Sequence, residues 1–261
     1  MDQPRIELRG ARVMVTGASG GLGAAICSEL ARRGAELVLT ARRRELLVDL
    51  AARTGGEVVV ADLADRLDVD RLTEEALGCD VLVLNAGVGN DGPLEEVTAD
   101  GADLVMDVNL RAPVQMSLAF VQHALAERRR AAVVTVGSLS GIVATPNTRM
   151  YNATKFGLRG FTLSLHQDLL GTPVHASLVA PGFIRDAGMF AENDIELPPG
   201  VRTKSPQDVA DAVVRAIVTG DAEVFAAPPE LRAVAKFSGL LPGLSASIQR
   251  RLGVSDRTAG R

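Results

Sequence analysis

The sequence predicts an α/β protein built on a mostly parallel sheet, and three observations lead there. Short runs rich in Val and Leu recur between longer amphipathic segments, the pattern of strands buried on both faces and joined by helical crossovers. The first such run passes straight into a glycine-rich turn and a helix, Gly17-Ala18-Ser19-Gly20-Gly21-Leu22-Gly23 and onward. No repeat or linker divides the 261 residues, so one domain over 1–261 is expected, a size common for single α/β units.

The elements follow in order. Val13 to Thr16 reads as the first strand, and Ala24 to Arg33 as a helix closing at Gly34. Glycines between them let backbone N–H groups approach a pyrophosphate, and the helix N-terminus adds favourable partial charge. A second strand, Leu37 to Thr40, is followed by Arg42, Arg43 and Arg44. An acidic side chain here would hold the ribose 2′-hydroxyl of NAD, whereas Arg42 suits the 2′-phosphate of NADP. The alternative is a solvated basic turn opening the next helix. Glu57 to Ala61 is the third strand, ending at Asp62-Leu63. A helix over Val69 to Leu77 and a fourth strand, Val81 to Leu84, lead into Asn85-Ala86-Gly87. Asp100 to Arg128 reads as one long helix containing Asn109, which Pro113 should bend or locally open. Ala132 to Val136 is the fifth strand, ending at Gly137-Ser138. Residues 149–170 form a helix, and Val174 to Val179 is the sixth strand, ending at Ala180-Pro181-Gly182. The segment 183–204 lacks periodicity, and long irregular loops in compact domains are usually functional. Ser205 and Pro206 mark a new helix to about Thr219. Glu223 to Ala227 is the seventh strand, and 228–261 is an apolar and basic extension.

Within the helix 149–170, Tyr151 is the only tyrosine and Lys155 is one of three lysines among 28 basic residues. Four apart, they share a helix face. A phenol with pKa about 10 is a poor base near neutrality. An ammonium about 4 Å away at an effective dielectric of about 20 is worth roughly 4 kcal/mol, or about three pKa units. The pair is therefore expected to bring the phenol near the operating pH. The bland alternative is two neighbours on a half-exposed helix.

Composition excludes several classes. Apolar residues make up 47% and charged residues 23%, with net charge −4 and no basic block, so nucleic acid is not an expected partner. Cys27 and Cys79 read as buried thiols, and the scattered His123, His166 and His175 as packing or surface residues, so no metal site is expected. The charged first ten residues lack a signal-peptide core, and no run spans a membrane. A cytoplasmic location is the default expectation.

Taken together, these residues resemble the short-chain dehydrogenase/reductase family across roughly residues 8–227. The matching motifs are Thr16-Gly17-x-x-x-Gly21-x-Gly23, Asp62, Asn85-Ala86-Gly87, the set Asn109, Ser138, Tyr151 and Lys155, and Pro181-Gly182. The resemblance implies a Rossmann-type doubly wound seven-stranded sheet with helices on both faces and the site at the carboxyl ends of the strands. It implies cofactor contacts from Thr16, Gly17, Ser19, Gly21, Leu22, Gly23, Arg42, Asp62, Leu63, Asn85, Ala86, Gly87, Tyr151, Lys155, Pro181, Gly182 and Ile184. Of these, Asp62 would receive the adenine amino group. Ser138 would hold the substrate oxygen, Tyr151 would exchange its proton, Lys155 would tune the phenol and hold the ribose, and Asn109 would position a water. Two departures stand out. Asp186 replaces a common Thr, and Ala227-Pro228-Pro229 with a long extension replaces the Gly-Gly ending of ketoacyl carrier-protein reductases.

The expected function is an NADP(H)-dependent oxidoreductase acting on a lipophilic ketone or secondary alcohol. A 3-oxoacyl-type reductase and a non-catalytic cofactor-binding regulator are the alternatives. Candidate pocket walls are Leu139, Ile142, Val143, Ala144, Met150, Phe183, Met189, Phe190 and Ile195, apolar as such a substrate requires. Arg149 and Arg185 leave an anionic substrate open. Phe156, Leu158, Phe161, Leu163 and Leu165 exceed one apolar stripe, and the resemblance also points to a homodimer or homotetramer through 100–128 and 149–170. Phe237, Leu240, Leu241, Leu244 and Ile248 are expected to cap the pocket, join subunits or touch a membrane surface.

Overall fold

The computed structural model describes residues 6–89, 92–186 and 202–241, with 243 and 247. Its seven strands are β1 (Arg12–Thr16), β2 (Glu36–Ala41), β3 (Glu57–Val60), β4 (Val81–Leu84), β5 (Ala131–Val136), β6 (Val174–Pro181) and β7 (Glu223–Ala226). They form one sheet in the order β3-β2-β1-β4-β5-β6-β7, and every pairing is parallel. The expected Rossmann-type doubly wound sheet is thus realised. β1 lies between β2 and β4, so the chain reverses direction across the sheet there. That reversal opens a crevice at the carboxyl ends of β1 and β4.

The helices are α1 (Gly21–Arg32), α2 (Arg44–Thr54), α3 (Arg66–Leu77), α4 (Ala99–Met106), α5 (Ala112–Ala126), α6 (Arg149–Asp168), α7 (Pro206–Thr219) and α8 (Pro229–Leu240). Alternation along the strands sends side chains to two cores. Val13 and Val15 pack with Ile26, Leu47 and Val213 on one face, and Met14 packs with Leu72, Phe120 and Leu165 on the other. Cys27 and Cys79 are buried on opposite faces, which rules out a mutual disulfide. Ser205 caps α7 as expected, its hydroxyl accepting from the Asp208 N–H while the Asp208 carboxylate returns the bond.

The long helical segment over 100–128 is opened locally before Pro113, as expected. Residues Asp107–Arg111 form a wider π-helical turn between α4 and α5. A proline lacks the N–H for, and its ring collides with, the carbonyl four residues earlier. For Pro113 that carbonyl belongs to Asn109, at the centre of the widened turn. Such single turns often lie at functional positions.

Candidate functional site

The phosphate cradle begins where β1 ends. Gly17 adopts φ +67, a conformation glycine reaches without strain. A Cβ at Gly17 would lie 2.8 Å from the Ala86 Cα, and one at Gly23 would overlap the Gly17 carbonyl oxygen. The three backbone segments therefore pack with no room for side chains. The start of α1 carries no side-chain cap and no acidic residue in its first turn, leaving its partial positive charge facing the crevice. These features fit a pyrophosphate held by Gly17, Ser19, Gly21, Leu22 and Gly23.

Thr16 and Asn85 join β1 to β4. The Thr16 hydroxyl accepts from the Asn85 and Ala86 N–H groups at 3.0 and 3.1 Å, and the Asn85 amide donates to the Thr16 and Gly17 carbonyls. Arg42 extends from β2 and is 3.9 Å from the Asp62 carboxylate. Its neighbour Arg43 donates to the Ser19 carbonyl at 3.3 Å. Two guanidinium groups thus stand at the end of β2, beside the glycine turn. Asp62 accepts from the Ala64 N–H at 3.0 Å, and the Leu63 side chain is buried in the core.

Gly87 links this half of the site to the other. A Cβ there would lie 3.4 Å from Asn109 Oδ1 and 3.6 Å from Lys155 Nζ. Lys155 is 4% exposed, and its ammonium donates to the Val136 carbonyl at 3.0 Å while lying 5.5 Å from the Tyr151 ring centre. Burial lowers its pKa to about 8. Ser138, at the end of β5, hydrogen-bonds the Tyr151 phenol, and its Oγ accepts from the Ser140 N–H at 3.0 Å.

Loss of hydration pushes the Tyr151 phenol up to about 12, partly offset by the Ser138 bond. The expectation that Lys155 brings it near neutrality is not met. The helix does place both residues on one face, with the ammonium bonded to the Val136 carbonyl and 5.5 Å from the Tyr151 ring centre, but desolvation of the phenol dominates.

Asn109 is fully buried, and its side-chain amide is fully engaged by protein partners. Oδ1 accepts from the Val88 N–H at 2.8 Å, and Nδ2 donates to the Val88 carbonyl and to the Thr154 hydroxyl. Its side chain clamps the exit of β4. Pro181 and Gly182 close against Ala226, with the Gly182 N–H donating at 3.1 Å. Ile184 is buried and bridges Lys204. Asp186 has φ +67, and its exposed carboxylate pairs with Arg185 at 3.5 Å. Arg149 donates to the Gly92 carbonyl at 2.7 Å. Both arginines considered for an anionic substrate therefore have protein partners.

Among the expected pocket walls, a Cβ at Gly182 would lie 3.4 Å from Leu139, and one at Gly239 of α8 would lie 3.1 Å from the Ile142 carbonyl. The extension thus packs against the turn beside Ser138. Met189, Phe190 and Ile195 lie outside the described residues. Asn152 and Thr154, which sequence reasoning passed over, are buried within the site's framework. Their signal was faint: two polar, poor helix formers inside the segment bearing Tyr151. Among the described residues no cluster of three or more His, Cys, Asp or Glu could hold a metal, and no helix is long and apolar enough to cross a membrane.

A doubly wound sheet with a glycine cradle at its reversal point, facing a Ser-Tyr-Lys group, defines a nucleotide-dependent oxidoreductase. The chain belongs to the short-chain dehydrogenase family, whose model matches residues 11–197, and is an NAD(P)-dependent enzyme of that family. It is 36% identical over 194 residues to nodulation protein G of Rhizobium sp. (strain N33), covering 72% of this chain and 79% of that protein. It is 30% identical over 216 residues to a 3-oxoacyl-acyl-carrier-protein reductase of Rickettsia conorii (strain ATCC VR-613 / Malish 7), covering 80% and 89%. A metagenomic short-chain oxidoreductase solved with NADP superposes with a TM-score of 0.70 at 33% identity, covering 84% of this chain and 98% of that one.

Proposed function

We propose that the chain transfers a hydride between NADP(H) and a lipophilic ketone or secondary alcohol through Ser138, Tyr151 and Lys155, with Asn109 a positioning residue. The observation that carries this reading is the Ser138–Tyr151 hydrogen bond next to Lys155, whose ammonium lies 5.5 Å from the Tyr151 ring centre and close to Gly87 of the Asn85-Ala86-Gly87 turn. When bound, the nicotinamide supplies or accepts the hydride. Ser138 holds the substrate oxygen by donating to it. Tyr151 gives that oxygen a proton in reduction, a task suited to a phenol held protonated by burial, and takes it back in oxidation. Lys155, cationic below about 8, favours the phenolate left after transfer. Arg42 and Arg43 support the preference for NADP, as does the NADP bound in the metagenomic neighbour.

The apolar walls Leu139 and Ile142, with α8 behind them, support a lipophilic substrate. In this reading 183–204 is the substrate segment and 228–261 an extension of one catalytic domain. The kinship with a 3-oxoacyl reductase favours a second reading, reduction of a 3-oxoacyl thioester. The exposed Met106, Leu118, Leu125, Phe156 and Leu170 support homodimerisation through 100–128 and 149–170.

The test is a screen of lipophilic ketones, secondary alcohols and acetoacetyl thioesters with NADPH and NADH, followed at the reduced-nicotinamide band. Tyr151→Phe should abolish turnover while leaving cofactor affinity within about twofold. Turnover by that variant within a few-fold of the parent contradicts the assignment. Thioester activity exceeding ketone activity favours the second reading.

A further inference from the structure

Asn152 follows Tyr151, in the first turn of α6, yet it is only 6% exposed. Its side chain makes an unusual number of bonds for a helical asparagine. Nδ2 donates to the Ser140 and Val143 carbonyls, each at 2.8 Å. Oδ1 accepts from the Thr148 hydroxyl at 2.5 Å and from the Thr145 N–H at 3.2 Å. One buried amide therefore ties the turn after β5 and the approach to α6 onto the helix that carries Tyr151.

The turn it holds is the one that presents Ser138. The Gly141 N–H donates to the Ser138 carbonyl at 3.0 Å, and the Ser140 N–H donates to Ser138 Oγ at the same distance. A hydroxyl has one proton to donate and two lone pairs. With a lone pair engaged by Ser140, the Ser138 proton is directed away from the turn. Fixing Ser140 from its carbonyl side therefore fixes where the Ser138 hydroxyl points.

We propose that Asn152 is a positioning residue that aims the Ser138 hydroxyl by holding the Ser140 and Val143 carbonyls. Both donors are required, because an acceptor in their place faces two carbonyl oxygens. This inference rests on the role proposed above for Ser138, and its test separates the two.

Asn152→Asp keeps the size and the acceptor side towards Thr148 and Thr145 but removes both donors, and Asn152→Ala removes everything. Tyr151 is the only tyrosine, so protein carrying 13Cζ-tyrosine gives one phenol resonance, a reporter that requires no substrate. Ser138→Ala and Asn152→Asp should each move that resonance in the same direction, and the double variant should move it no further. In turnover of NADPH with the best ketone of the screen, each single variant should lower kcat on the order of 10- to 100-fold. In the Ser138→Ala background, adding Asn152→Asp should lower it less than about twofold, because residues acting as one unit are not additive. Additive losses, or an unmoved resonance in Asn152→Asp, overturn the positioning role. A Ser138→Ala variant with parental turnover and an unmoved resonance overturns the reading of Ser138 instead.

Discussion

Replacing Lys155 by Met is expected to stabilise the fold while removing activity. Lys155 is 4% exposed, and burial lowers its ammonium from 10.5 to about 8. At about 1.36 kcal/mol per pKa unit, holding the charge inside opposes folding near neutral pH by about 3 kcal/mol. Met occupies similar space without charge, but it strands the Val136 carbonyl that Lys155 now meets at 3.0 Å, which offsets about 1 kcal/mol. The net gain is about 2 kcal/mol, or roughly 4–8 °C in Tm for a domain of this size. The pH dependence has a definite sign. The folded pKa lies below the unfolded one, so stability from this group is complete above 10.5 and is lost as pH falls through about 8. The advantage of the Met variant should therefore shrink as pH rises above 8 and nearly vanish by about pH 9.5. Urea denaturation of both proteins near neutrality and near that pH measures the difference. A Met variant less stable than the parent near neutrality, or an advantage that stays constant with pH, refutes the reasoning.

Arg42→Asp should reverse the cofactor preference, since it removes a charged donor worth about 1.5–3 kcal/mol and offers a ribose hydroxyl an acceptor. Rates with NADPH and NADH at matched concentrations read this out, and an unchanged ratio counts against Arg42. Phe156, 43% exposed on α6, should be covered in a homodimer. Phe156→Glu should then convert a dimer to a monomer in light scattering, and a parent that is monomeric at micromolar concentration contradicts the proposed interface.

Much of this was legible in the chain because local chemistry dictated it. β4, Val-Leu-Val-Leu before Asn85, is buried at every position, and a run that apolar admits no other place in a sheet covered on both faces. The cradle was legible because Gly17 and Gly23 stand where backbone must touch backbone. The placement of Tyr151 and Lys155 on one face follows from helical geometry, but the direction of the phenol shift does not. It depends on how much hydration each group loses and on the Val136 carbonyl, nineteen residues away. Asn109 was marked by its motif, while Val88, to which it bonds, lies 21 residues away, in the loop beyond β4. Asn152 was missed because an asparagine in a helix gives no local sign of being buried.

The short bridge between Ile184 and Lys204 carries a broader implication. The Arg185 N–H donates to the Lys204 carbonyl and the Lys204 N–H to the Phe183 carbonyl, both at 2.9 Å. The chain leaving β6 is thereby fastened to the chain entering α7. Once two posts are fixed in this way, doubling the length between them adds only about 0.6 kcal/mol of closure entropy. A change of length between the posts is therefore expected to cost the fold little, provided the bridge is kept. The vulnerable place is the bridge: a proline at Arg185 or Lys204 would remove one of its two N–H donors and unfasten β6 from α7.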